Sequence, residues 1–234
     1  MICAMRLVLF DIDGTLLRCG AQVGPMFFDA LRAVFGSVGS VPGYSFSGKT
    51  DPLIVFDLMA AAGFSEAEIR GRLREVHDRY APRIEGELDP AQMELLPGVG
   101  ELLAGLSRRD DVVLGLLTGN WERGARAKLA RFDLNRYFAF GAFGDDGVQR
   151  PSLFPAGLRK AELHCGHRFS PEEVLLVGDT PLDVECAKVN GARIAAVATG
   201  RIRGEDLAAA GADWVLPDLR GALEQVPFAA ERRR

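Results

Sequence analysis

The chain has 234 residues, 48% hydrophobic and 26% charged, with 27 Gly and 12 Pro, a balance that suits a globular core with room for one smaller insertion. The formal net charge of −4 argues against a nucleic-acid groove as the main function. No uninterrupted apolar stretch approaches the ~20 residues a membrane helix needs.

The first apolar run, Leu7–Phe10, is too short for a secretory core segment and stops at Asp11. Cys3, Cys19, Cys165 and Cys186 form no CxxC pair and are expected as free thiols of a soluble, cytoplasmic protein. From about Gly20 to Leu96 the segments "PMFFDALRAVFG", "DPLIVFDLMAAAGF" and "SEAEIRGRLREVHDRYAPRIEGEL" carry helical apolar spacing with Gly or Pro between them, and no strand is expected there. Beyond Pro97, the runs Val112–Leu117, Val174–Val177, Ile194–Val197 and Trp214–Leu216 have the length and composition of buried parallel strands. Helix-like segments lie between them: Gly100–Leu106, Trp121–Phe132, Leu153–Leu163, Leu182–Asn190 and Gly204–Ala210. The alternation predicts an α/β fold, a Rossmann-like core with a central parallel sheet flanked by helices. The all-helical stretch reads as an inserted cap domain, residues 20–96, between core segments 1–19 and 97–234. "HCGH" at His164–His167 lacks a second ligand pair and reads as a loop after a helix, and Arg232–Arg234 as a solvated tail.

In open parallel sheets, ligands bind beyond the carboxyl ends of the strands, so the residues after each apolar run are the informative ones. After Phe10 comes "DIDGT", after Leu117 "TGN", and after Val177 "GDTPLD". Asp11 and Asp13 are two apart and share a face in extended geometry, and Asp179 and Asp183 are four apart across a helix start. Singly, each has a structural reading: an Asp-Gly turn, a helix cap before Pro181, a plain loop. Together, three strand ends deliver four carboxylates to one edge. Crowded carboxylates repel, and a hard oxygen-binding cation such as Mg²⁺ relieves this.

With these motifs the chain resembles the haloacid dehalogenase superfamily over nearly its whole length. "DIDGT" is similar to the family's first motif, DxDx[TV], "LLTGN" to the second and "GDTPLD" to the fourth. The inserted helices resemble the family's helical cap, and the chain looks like its phosphoglycolate phosphatase-like branch. The resemblance implies a Mg²⁺-dependent phosphatase. Asp11 would be the nucleophile that forms an aspartyl-phosphate, and Asp13 the general acid and then base. Mg²⁺ would be held by Asp11, the Asp13 backbone carbonyl and Asp179, with Asp183 in support. Thr118, with Gly119 and Asn120, would meet the phosphoryl oxygens. The family's third motif supplies a Lys, and here "QRPSLFP" stands instead. Arg150 is the candidate cation and Lys160 the second choice. Lys49, in "FSGKTD", looks like the cap's substrate-facing basic residue. Asp13, in this reading, favours phosphate chemistry over carbon–halogen cleavage.

The expected partner is a small phosphorylated metabolite, with neither nucleic acid nor membrane, and the expected state is a monomer or homodimer. Two alternatives use the same residues: a phosphomutase of the same fold, and a non-catalytic module that binds metal or phosphate.

Overall fold

The computed structural model describes residues 5–228. Cys3 and the Arg232–Arg234 tail lie outside them.

Strands β1 (Arg6–Phe10), β4 (Val112–Leu117), β5 (Gly141–Ala142), β6 (Val174–Gly178), β7 (Arg193–Val197) and β8 (Trp214–Leu216) form one parallel sheet. Its order is β5-β4-β1-β6-β7-β8. The strands read as continuous apolar runs because both faces are covered. Leu7 and Leu9 pack with Leu176, Ile194 and Ala196 on one side. Val8 and Phe10 pack with Leu116, Val177 and Val197 on the other. The order reverses at β1, whose neighbours are β4 and β6. The carboxyl ends of these three strands therefore meet at the topological switch point, where open α/β sheets bind ligands.

Helices α4 (Val99–Leu106), α5 (Glu122–Ala130), α6 (Leu153–Cys165), α7 (Pro181–Val189), α8 (Gly204–Ala209) and α9 (Ala222–Gln225) connect or follow the strands. The α/β core expected from the alternation is present. Between β1 and β4 run α1 (Val23–Phe35), α2 (Asp51–Ala61) and α3 (Glu66–Glu87). Thr50 caps α2 by accepting from the Leu53 amide, and Ser65 with Glu68 forms a capping box on α3. Phe27, Leu31, Val55, Leu58, Val76, Tyr80 and Ile84 build a separate apolar cluster among these helices, closed on the core side by Trp121.

Two details correct the sequence reading. A short antiparallel pair, β2 (Leu17–Arg18) with β3 (Glu94–Leu95), joins the two ends of the helical segment, so a strand does occur before Leu96. The edge strand β5 was not expected, because two small residues, Gly141 and Ala142, carry no β pattern. Among the described residues, no helix is long and apolar enough to cross a membrane.

Candidate active site

The end of β1 turns sharply. The Asp11 amide still donates to Val177 on β6 at 2.9 Å, continuing the ladder, and Gly14 then takes φ +86°, open to glycine without strain. This turn sets Asp11 beside the loop after β6. Ligand oxygens of Asp11, Asp179 and Asp183, all buried, lie within 4.8 Å of one another. The Thr15 hydroxyl donates to Asp179 at 3.2 Å. A Cβ on Gly14 or Gly200 would overlap the Asp179 carboxylate, so two glycines make room for it.

Burial pushes the Asp11 carboxyl up to about 6; Arg150 opposes the shift, and Asp183 and Asp13 add to it. Asp179 is pushed up to about 8 by burial and then by its neighbours Asp11 and Asp183. Three buried carboxylates this close are the donor set of a hard divalent cation, and two of them are strained toward protonation without one. The residues therefore fit a metal ion.

Arg150 sits against this cluster, 3.0 Å from Asp11 and 2.5 Å from Asp183. Its Nη1 donates to the Gly48 carbonyl at 3.0 Å, and Nη2 also faces the Leu117 carbonyl at 3.4 Å. Burial works against this charge, but Asp11 and Asp183 outweigh burial and hold the pKa up. Asp183 accepts in addition from the Thr180 amide and hydroxyl at 3.0 and 2.6 Å, which fixes it behind Asp11 and Asp179.

Asp13 points elsewhere. Its Oδ2 accepts from Lys128 Nζ at 2.5 Å and from Asn120 Nδ2 at 2.7 Å. Lys128 also donates to Asn120 Oδ1 at 2.6 Å, and Asn120 Nδ2 donates to Thr118 Oγ1 at 2.8 Å. The Asp13 carboxylate is thus outside the cluster of Asp11, Asp179 and Asp183, and the side chain of Asn120 is engaged at both ends.

The helical segment closes over this edge. The Asp51 amide donates to the Gly119 carbonyl at 2.8 Å, and Asp51 Oδ2 accepts from the Trp121 amide at 2.9 Å. The Thr50 hydroxyl donates to the Val148 carbonyl. A Cβ on Gly119 would overlap the Lys49 carbonyl, and one on Gly48 would overlap Thr180. Burial pushes the Asp51 carboxyl up to about 7, against the pull of Lys128 and the Trp121 amide.

The structure brings together Asp11, Arg150, Asp179 and Asp183, and beside them Asp13, Thr118, Gly119 and Asn120. Lys160 does not join them: it pairs with Asp146 at 2.7 Å and donates to the Gly141 carbonyl at 3.0 Å. Lys49 pairs with Asp57 at 2.7 Å, over the Tyr44 ring. His164 lies against Phe140 at a tilt and His167 meets Phe169 edge-on; neither is in the one cluster of potential metal ligands among the described residues. Sequence reasoning missed Lys128 and Asp51. Lys128 follows the second motif on one helix, four residues after Gly124 and three after Ala125 on a buried face, a signal that the basic residues around it outweighed.

Comparison with known proteins agrees with this geometry. The family model described as "Haloacid dehalogenase-like hydrolase" matches residues 8–197. The chain is 31% identical over 232 residues to phosphoglycolate phosphatase 1 of Pseudomonas aeruginosa, covering 97% of this chain and 81% of that protein. It is 29% identical over 194 residues to the phosphorylated carbohydrates phosphatase of Thermotoga maritima, covering 80% and 82%. A solved hydrolase from Pseudomonas syringae superposes with TM-score 0.70 at 21% identity, covering 97% of this chain and all of that one, which shows the shared fold. The chain belongs to the haloacid dehalogenase-like hydrolase family.

Proposed function

We propose that the protein is a Mg²⁺-dependent phosphatase that hydrolyses a small phosphorylated metabolite through an aspartyl-phosphate on Asp11. The observation that carries this reading is the buried trio Asp11, Asp179 and Asp183 at the switch point, with Arg150 bonded to Asp11. The names of the relatives, phosphatases of phosphoglycolate and of phosphorylated carbohydrates, support the substrate class.

Asp11, Asp179 and the Asp13 backbone carbonyl would hold the Mg²⁺, with Asp183 behind them. When bound, the ion offsets the charge of nucleophile and phosphoryl group. An Asp11 oxygen attacks phosphorus, the ester P–O bond breaks, and the leaving oxygen takes a proton from Asp13. Water then attacks the phosphorus, returns a proton to Asp13, and the bond to Asp11 breaks, releasing phosphate. Arg150 keeps Asp11 ionised and in place as the anionic ester approaches. Thr118 and the Gly119 amide meet the phosphoryl oxygens, and Asn120, occupied by Asp13, Lys128 and Thr118, supports them from behind.

The helical segment, residues 20–96, would act as the cap that excludes water and bulky phosphoproteins. Lys49 is its candidate contact for a second anionic group of the substrate, reached by leaving Asp57. The test is phosphate release from 2-phosphoglycolate, glycerol phosphate and sugar phosphates, with Mg²⁺ or with chelator, by the native protein and Asp11→Asn. Magnesium-dependent release lost in the variant supports the reading. Release by neither protein overturns it, and phosphate kept on the sugar as an isomeric ester marks a mutase.

A further inference from the structure

We propose that Lys128 is the positioning residue of the acid/base Asp13: it pins Oδ2, so that Oδ1 is the oxygen that exchanges the proton with the substrate. The inference rests on the phosphatase reading and adds to it a residue and an atom.

Lys128 is only 2% exposed. Burying an ammonium costs several kcal/mol, and a buried ion pair can often be replaced by well-packed apolar residues without loss of stability. Its face of α5 carries Gly124, Ala125 and Leu129, all buried, where a Leu or Met would serve packing alone. Lys128 instead sends its charge to two atoms, Asp13 Oδ2 at 2.5 Å and Asn120 Oδ1 at 2.6 Å. Among the described residues, Asp13 is its one ion-pair partner.

The second contact determines the orientation of Asn120. An ammonium only donates and a carboxylate only accepts, so Asn120 must turn Oδ1 to Lys128 and Nδ2 to Asp13. Nδ2 then reaches both Asp13 Oδ2 at 2.7 Å and Thr118 Oγ1 at 2.8 Å. Thr118 Oγ1 accepts there, which leaves its own proton for an incoming anion. One buried cation thereby orients the amide that holds Asp13 Oδ2, while Thr118 keeps its own anchor, its amide donating to the Ala142 carbonyl at 3.0 Å.

Both hydrogen bonds to the Asp13 side chain fall on Oδ2. With Oδ2 held from two sides, the carboxyl cannot rotate without breaking charge-assisted bonds. The side chain is nevertheless 43% exposed, against 3% for Lys128, so its open side is that of Oδ1. An acid or base held by one oxygen and open at the other is what proton transfer to a bound ester requires.

The test compares two esters through kcat/KM, which reports the steps up to departure of the leaving group. Glycerol phosphate leaves as an alkoxide that needs a proton, and 2,4-dinitrophenyl phosphate leaves without one. Proton transfer by a placed side chain is worth about 10²–10⁴-fold. Lys128→Met is expected to lose roughly 10²-fold on glycerol phosphate and less than about threefold on the dinitrophenyl ester. In Asp13→Asn, adding Lys128→Met should cost nothing further on glycerol phosphate, since Lys128 acts through Asp13. Equal losses on both esters, or losses that multiply in the double variant, overturn the proposal. If Lys128→Met does not fold, Lys128→Gln, whose uncharged NH₂ group still donates, is read by the same ratio of esters. Failure of the native protein on both esters would instead count against the phosphatase reading itself.

Discussion

Arg150 donates to the carbonyl of Gly48 at 3.0 Å, tying the helical segment to the edge of the sheet. The same guanidinium is 3.0 Å from Asp11 and 2.5 Å from Asp183. A planar fork serves these partners at once, and a lysine ammonium on a flexible stem does not. Arg150→Lys is therefore expected to keep the charge beside Asp11 and lose the Gly48 contact. Turnover should fall about 10–100-fold and stability by about 1–2 kcal/mol, the net worth of one or two hydrogen bonds. Arg150→Ala leaves Asp11 and Asp183 buried without their cation and should cost about 3–5 kcal/mol. Thermal melts beside steady-state kinetics check both; an Arg150→Lys variant equal to the native protein in both would contradict the tie.

Gly14 and Gly200 leave the space that the Asp179 carboxylate occupies. Gly200→Ala should push Asp179 off its neighbours and weaken Mg²⁺ binding at least tenfold, about 1.4 kcal/mol. Gly100→Ala is the control: it lies in α4, where an added Cβ meets nothing within 4 Å, and should leave binding unchanged while stabilising by about 0.5–1 kcal/mol. Titration calorimetry with Mg²⁺ reads the difference. Equal affinity in Gly200→Ala would count against Asp179 as a ligand.

Asp11, Asp51 and Asp179 are raised, chiefly by burial, to about 6, about 7 and about 8. The folded, metal-free protein thus holds protons that the unfolded chain releases near pH 4. Where the folded state binds more protons, stability falls as pH rises. The melting temperature in chelator should decline between pH 5 and pH 8, and Asp51→Asn should flatten part of that decline. Mg²⁺ binds the deprotonated carboxylates, so its stabilisation should be larger at pH 8 than at pH 5. At 100 times its Kd the ion adds about 2.7 kcal/mol, roughly 5–11 °C for a chain of this size. A metal-free melting temperature that rises over this range would contradict the assignment.

Much of this was legible in the sequence, and the reasons differ by residue. The five longer strands were read because burial on both faces leaves an uninterrupted apolar run, as in "VLLV" of β6. Gly141–Ala142 escaped because two small residues carry no β pattern of their own, and only pairing with Leu116 and Leu117 of β4 makes them a strand. Asp11, Asp179 and Asp183 could be grouped because strand ends converge by topology. Lys128 could not: in "ARAKLARF" it reads as the solvated lysine of a basic helix, and only the fold puts its ammonium on Asp13. Arg150 was placed by its position ahead of α6. It was chosen there over Lys160, and the structure keeps Arg150 on Asp11 and Asp183 while Asp146 holds Lys160 away. Lys49 pairs with Asp57, eight residues further along the chain, a contact the sequence did not signal.

The central claim, covalent catalysis by Asp11, is tested most directly by quenching the protein with acid during turnover of a phosphate ester in Mg²⁺. Borohydride then reduces an aspartyl-phosphate to homoserine, which peptide mass spectrometry locates. The account predicts homoserine at position 11, formed only with ester and Mg²⁺ present, and none in Asp11→Asn. Steady turnover with no homoserine at position 11, or turnover retained by Asp11→Asn, would contradict it.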